Sequence, residues 1–483
     1  MSSPAKLSVT DTIRLVLFCL LPASLYFSYY PLISLGENTT MNFELSIPLI
    51  ILFLFAFFSI PELCRLVSSW SWKKSLLIFA IPIYATISLC WTENILRGAL
   101  TAGVLWCIFI SIASIYELYS AKKCCKDYNT IMIYIYLSVT LLVCLFCLLQ
   151  CILDVAGVDR GTTLLCPGCT SYSFGFPHPS GFAIEPQFMG NLLLFPSLLS
   201  LYGLLHFDEY FRDRRSRILA LVFSGIVIFT LFITFSRGAI YSFVIAATFL
   251  LFYEKIRTHT SIIRPTIVVV SCMILSIISQ GIMSEYSQFD STFLSGVSSS
   301  ISQLSLGIIN IPTSQVKEHQ EPPLESSFDV SVSEAPVFDG YVENSTDERL
   351  LLSGLAFSAW NEDYMSFALG HGLGSSGVVI HRLFPTKTDE KEIIQNELLA
   401  ILLELGITGL IIVAVIFVKF YQNSRCIREA PLLYSVIIAF VVSLMFFSGL
   451  PNALHIYILP AILFLCLSEH HPIIDIIRNK HRR

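Results

Sequence analysis

The chain has 483 residues, of which 54% are hydrophobic and 13% charged, with a mean hydropathy of +0.71. Soluble domains carry about 25% charged residues, so this composition excludes a soluble globular protein. The net charge of −5 is uninformative by itself, and no nucleic-acid partner is expected.

Apolar runs near 20 residues recur, each long enough to cross a hydrocarbon core of roughly 30 Å. The period-2 alternation of a membrane β-barrel is absent. The expected fold class is therefore all-α: a polytopic membrane protein of about twelve transmembrane helices with a large extracytoplasmic loop before the tenth. The first run, 13–35, follows Lys6 and Arg14, lacks a small-residue cleavage site and reads as a retained signal anchor. Further spans are expected near 46–61, 75–91, 97–117, 130–153, 183–205, 217–235, 238–253, 263–283, 395–419, 432–449 and 451–468. The chain thus divides into 1–153 (spans one to five), an outer loop 154–182, 183–283 (spans six to nine), a large outer loop 284–394, and 395–483 (spans ten to twelve and a cytoplasmic tail).

Charge distribution orients this topology. With the N-terminus in the cytoplasm, 22 of the 30 lysines and arginines fall in cytoplasmic segments. Only Arg97, Arg160, Arg237, Lys317, Arg349, Arg382, Lys387 and Lys391 fall outside. Positive charge resists translocation, so both termini are expected in the cytoplasm of a bacterial inner membrane.

Most of the fourteen cysteines lie in apolar runs and act there as small hydrophobes. Cys166 and Cys169, in the first outer loop, read as a small disulfide or two free thiols, with a redox or metal role as the alternative, for which only His178 lies near as a further ligand. Within the large loop, 291–347 is rich in Ser, Asp and Glu and is expected to be mobile or loosely folded. From Arg349 onward, Leu351, Leu352, Leu355, Phe357 and Trp360 are spaced to line one face of a helix lying on the membrane surface.

Several polar groups stand where chemistry could be done. Glu185, followed by Pro186, opens the sixth span. It reads either as a helix start, stabilised by the N-terminal dipole, or as a carboxylate able to take a proton or bind sugar hydroxyls. Arg237, in Ser236-Arg237-Gly238, joins spans seven and eight with almost no loop. Its guanidinium keeps its charge and offers a fork of donors suited to phosphate oxygens. Gly370-His371-Gly372-Leu373-Gly374 is a glycine-dense turn in which backbone N–H groups can approach a ligand, and His371 and His381 are candidate bases. Gln395 and Asn396 open the tenth span. Capping would explain Asn396 but not Glu404, two turns further in, which should face a polar interior or a cationic partner.

Taken in order, these motifs resemble the O-antigen polymerase and O-antigen ligase superfamily. The matches are Ser236-Arg237-Gly238, Arg349 followed by Trp360, Gly370-His371-Gly372-Leu373-Gly374, and Gln395-Asn396 with Gly406-Ile407-Thr408-Gly409 nine residues on. They cover about 180–420; elsewhere the likeness is one of topology. The resemblance implies a membrane glycosyltransferase acting on undecaprenyl-pyrophosphate-linked oligosaccharide in the lipid bilayer. Arg237 and Arg349 would bind the pyrophosphate, and a chain-length regulator is a further partner. The ligases carry a histidine directly before the asparagine. Gln395 stands there and cannot serve as a base, which favours the polymerase branch. Ligation of finished polymer to lipid A–core is the alternative, and a transporter or flippase for lipid-linked sugars is a second. No cofactor or metal is expected: the arginines would neutralise the leaving group, and no DxD-like cluster stands near them. Glu185, His371 and His381 are the candidate bases for the acceptor hydroxyl.

Overall fold

The computed structural model describes residues 8–35, 43–120, 126–156, 178–183, 185–286, 292–305, 308–309, 341–386, 388, 394–425, 427, 429–447 and 453–468. Cys166, Cys169 and 310–340 of the large loop lie outside the described residues. The protein is an all-α polytopic membrane protein.

The first half comprises α1 (Val9–Ser24), a hairpin of β1 (Pro31–Leu35) and β2 (Phe43–Ser46), then α2 (Ile47–Ser69), α3 (Trp72–Ser88), α4 (Ile95–Ser120) and α5 (Lys126–Val155). The middle holds α6 (Pro186–Leu205), the short α7 (Phe207–Tyr210), α8 (Arg214–Ile233), α9 (Arg237–Thr258) and α10 (Ile263–Tyr286). Then follow α11 (Phe293–Leu304), α12 (Tyr341–Trp360), α13 (Tyr364–Leu369), α14 (Ser376–Leu383), α15 (Glu397–Ser424), α16 (Ala430–Ser443) and α17 (Leu454–Ser468).

Each of the twelve expected spans coincides with a helix. Among the described residues, nine helices are long and apolar enough to cross a membrane, while α16 and α17 are shorter apolar helices. The remaining one, α3, is 17 residues long and begins with Lys73 and Lys74 in its first turn. The helix starts are set by short polar side chains that take up otherwise unpaired N–H groups. Ser8 accepts from Asp11 N at 3.0 Å, Asp213 from Ser216 N at 2.8 Å and Asn396 from Leu399 N at 3.2 Å.

Three segments differ from the sequence-based expectation; one is Tyr341–Asp347, expected to be mobile or loosely folded, which forms the beginning of α12, so that Arg349 lies within that helix rather than at its start. The first apolar run does not continue as helix to residue 35. It ends in a 3-10 turn at Leu25–Phe27, and Pro31–Leu35 pairs antiparallel with Phe43–Ser46. Pro31 lacks the N–H that a continuing helix would need. Phe293–Leu304, expected to be loosely folded, is a helix: Thr292 and Ser295 form a reciprocal capping box, and Gly296 lies against Ser284 of α10. Its Ser content hid an amphipathic pattern.

The centre of the bundle is α6, with 83% of its apolar window buried, against 22% for α10 and α15. It packs on α8, α9 and α16. A separate buried ion network ties α1 to α2 and α4. Arg14 is fully buried and donates to Glu117 at 2.7 Å, Ser59 at 3.1 Å and Asp11 at 3.4 Å. A charge so far from water persists only when paired in this way.

Candidate functional site

The start of the central helix gathers the polar groups. Glu185 is the N-cap of α6, extended in backbone and making no capping bond, with Pro186 in the first turn behind it. Gln187 follows and is held at both ends. Its Oε1 accepts from Arg349 Nη2 at 2.9 Å, and its Nε2 donates to the Phe446 carbonyl at 2.8 Å. Arg349, from α12, is thereby placed at the mouth of α6, 162 residues away in sequence. Glu185 is an exposed residue, yet neighbouring protein shields its carboxyl from water enough to push its pKa up. The Arg349 charge pulls the pKa in the opposite direction.

Arg237 opens α9 against the same place. Phe235, two residues earlier, holds φ +47°, a conformation rare for a bulky residue, and this tightens the α8–α9 turn. Ser236 then caps α9. Gly190, one turn into α6, lies so close that a Cβ there would stand 2.8 Å from the Cβ atoms of Ser236 and Ala239. A Cβ at Gly238 would stand 2.7 Å from Phe446 Cβ. Gln187 and Gly238 therefore both meet Phe446, so the first turn of α9, which Arg237 opens, packs beside the stretch of α6 that Arg349 contacts.

A third helix start joins them. Asn396 caps α15, and Glu397 N donates to the Leu444 carbonyl at 2.8 Å, just before Phe446. Glu397 is buried, and its charge, after burial itself, raises the pKa of the nearby Tyr29 phenol. The starts of α6, α9 and α15 thus converge around the C-terminal end of α16. Helix N-termini carry partial positive charge; the Arg349 guanidinium stands at the start of α6, and Arg237 is the first residue of α9, its charge near Tyr241. The arrangement suits an anionic group. No family model matches the chain. No curated protein matches it either.

The glycine-dense turn is placed elsewhere and is filled by protein. His371 N and Gly372 N each donate at 2.9 Å, to the carbonyls of Leu403 and Glu404 in α15. α15 is broken here: Gly406 takes φ +63°, and a Cβ on it would stand 2.5 Å from the Ala368 carbonyl oxygen. Thr408 Oγ1 donates to that same oxygen at 2.8 Å. On the other side, Tyr84 Oη donates to the Leu405 carbonyl at 3.1 Å, and Thr92 Oγ1 to that of Leu373 at 2.8 Å. Gly370, Gly372 and Gly374 all hold φ between +73° and +89°, so the turn's glycines serve an interlock between α13, the α15 break and the α3–α4 turn.

The remaining candidates follow from that interlock. His371 Nε2 lies 3.1 Å from the Ala359 carbonyl, and its Nδ1 lies 3.7 Å from Glu93, which Arg382 contacts at 2.6 Å. Ten residues of α12, roughly 15 Å, separate Ala359 from Arg349. His381 Nδ1 lies 2.6 Å from the Thr388 carbonyl. Glu404 is half-buried and accepts from Ser376 N at 3.3 Å, so its partner is the start of α14. Gln395 is exposed. Of the named residues, Glu185 and Arg349 meet at the mouth of α6, Arg237 opens the neighbouring α9 and Asn396 caps the adjoining α15. His371 and Glu404 serve the interlock, and His381 meets only the Thr388 carbonyl among the described residues.

Sequence reasoning missed Gln187, Glu397 and Tyr29. Gln187 carried a signal in its position, two residues after the carboxylate that starts the most buried helix. The only hint for Glu397 was its adjacency to Asn396, and Tyr29 had none.

Proposed function

We propose that the protein is a membrane glycosyltransferase that joins lipid-pyrophosphate-linked sugar repeat units into a surface polysaccharide. The observation that carries this reading is the bond from Arg349 to Gln187, which puts a guanidinium at the start of α6, beside which α9 begins with Arg237. A pyrophosphate is the anion such a pair suits, because each guanidinium can meet two phosphate oxygens at once.

The reaction is a displacement at the anomeric carbon of the donor. A hydroxyl oxygen of the acceptor sugar forms the new C–O bond. The bond from the anomeric carbon to the pyrophosphate oxygen breaks, and its electron pair leaves with undecaprenyl pyrophosphate. The hydroxyl proton passes to Glu185, the one candidate base beside Arg349. A raised pKa makes that carboxylate a stronger base than an ordinary one. Arg237 and Arg349 hold the charge that grows on the leaving group, which is stabilisation where charge develops. The site would face the periplasm of a bacterial inner membrane with both termini in the cytoplasm, in line with the lysine and arginine asymmetry.

The test is direct. Purified protein in vesicles is given undecaprenyl-pyrophosphate-linked repeat unit alone. The reading requires a ladder of lengthened glycans with stoichiometric release of undecaprenyl pyrophosphate. Intact donor after prolonged incubation with well-folded protein would overturn it. Transfer only after a lipid A–core acceptor is supplied would replace it with the ligase reading.

A further inference from the structure

At the α2–α3 hairpin lies a groove of about 540 Å³, far from the mouth of α6 in the chain's architecture and unrelated to it in composition. Its walls are apolar and aromatic: Val67 and Trp70 from the end of α2, Trp72, Leu76 and Phe79 from α3, and Trp106 from α4. Two of these rings are fixed by their neighbours. Phe79 and Trp106 stack with centroids 5.7 Å apart, and Trp106 Nε1 donates to Thr86 at 2.9 Å. The groove is left open by the protein, with Trp72 70% exposed and Leu76 49% exposed at its rim.

Two cations stand at the same rim. Lys74 Nζ lies 4.5 Å from the Trp70 ring centroid and 4.8 Å from that of Tyr116, and Lys73 Nζ lies 5.8 Å from that of Trp72. Neither lysine is ion-paired to a carboxylate among the described residues, whereas nearby Arg65 is paired with Glu62 at 3.0 Å. Packing against the rings holds the ammonium groups beside the groove. The hairpin turn, Trp70 and Ser71, separates two apolar helices, so the lysines mark the level at which hydrocarbon gives way to headgroups.

We propose that this groove is a binding site for an anionic glycerophospholipid of the surrounding bilayer. One acyl chain lies along Leu76, Phe79 and Trp106, and the phosphodiester meets Lys73 and Lys74. The volume falls within the range of roughly 300–1,000 Å³ typical of small-molecule sites. The pairing of an apolar slot with unpaired ammonium groups at its mouth is what a lipid with a negative headgroup complements. A zwitterionic lipid fills the slot but brings its own cation to the lysines. The site is independent of the transfer reaction.

The experiment is native mass spectrometry of the purified full chain, titrated with phosphatidylglycerol or phosphatidylcholine of identical acyl chains. Two lysines near a bilayer surface should give a preference for phosphatidylglycerol on the order of 10-fold or more. Lys73→Ala with Lys74→Ala should bring the two lipids close to parity. Ser75 also lines the groove, and Ser75→Trp, which narrows it and leaves both charges, should reduce uptake of both lipids. Should the double variant fail to fold, the wild-type preference still decides, because it must shrink as ionic strength rises from about 0.05 to about 0.5 M. Equal uptake of both lipids by the wild type, a preference unchanged in the double variant, or a dimer that excludes both lipids would each overturn the proposal.

Discussion

Replacing Arg349 with alanine separates a catalytic role from a structural one. In the folded protein Arg349 is half-buried and donates to the amide oxygen of Gln187 at 2.9 Å. Loss of a hydrogen bond from a charged donor costs about 2 kcal/mol. A domain with a stability of about 5–15 kcal/mol tolerates that loss, so Arg349→Ala should insert and accumulate normally. In the transition state the same guanidinium would meet charge growing on the pyrophosphate, and removing such a contact costs about 3 kcal/mol, on the order of 100-fold in rate. Lysine keeps the charge and can reach Gln187, but it lacks the fork, so Arg349→Lys should recover stability without recovering rate. The assay is glycan length on a gel at matched protein levels, beside the thermal midpoint of each purified variant. Glu404→Gln is the control: among the described residues the Glu404 carboxylate accepts only from Ser376 N at 3.3 Å, and its change should leave glycan length near wild type. Wild-type polymer from Arg349→Ala would refute the anion-site argument. So would equal rescue of rate and stability by lysine.

Other variants test the neighbouring groups. Arg237→Ala should abolish long-chain polymer, and Arg237→Lys should restore little of it, as read by the same gel; normal chains from the alanine variant would remove Arg237 from the mechanism. Glu185 has a raised pKa, so its carboxylate is lost as pH falls through that value, and turnover should fall with it. Glu185→Gln should be slow at every pH, and Arg349→Ala should move the residual acidic limb to higher pH, because the charge that lowers the Glu185 pKa is gone. A pH–rate profile of the residual activity reads both effects, and an unchanged acidic limb in Glu185→Gln would assign the base elsewhere. Gly406→Ala places a Cβ 2.5 Å from a backbone oxygen at a residue with φ +63°, and should lower stability by about 1–3 kcal/mol, measured as a drop in thermal midpoint.

The scaffold was legible because length and hydropathy decide it: every expected span coincides with a helix. The end of the first span was misplaced because Pro31–Leu35 is apolar enough to pass for helix, and only pairing with Phe43–Ser46 makes it a strand. Of the expected surface helix, Leu355 and Trp360 face inward onto α14 and α15 and Leu352 is buried, while Leu351 and Phe357 are exposed. A helical stripe is readable to within a residue or two, but which neighbour covers it is a long-range fact. The same limit applies to the site. Arg237 and Glu185 could be singled out because charge at the end of an apolar run is costly. That Arg349 meets Gln187, and that the glycine turn pairs with the break in α15, depends on contacts between distant segments. Spacing along the chain does not encode them.

The most direct measurement is the surface glycolipid profile of a strain from which this protein has been deleted, complemented with wild type or with Arg349→Ala. A polymerase that depends on Arg349 should leave a core capped with a single repeat unit in the deletion strain and in the Arg349→Ala strain, with long polymer restored by wild type. Free polymer unattached to core would contradict the polymerase reading in favour of a ligase, and lipid-linked repeat units accumulating in the cytoplasm would contradict it in favour of a flippase.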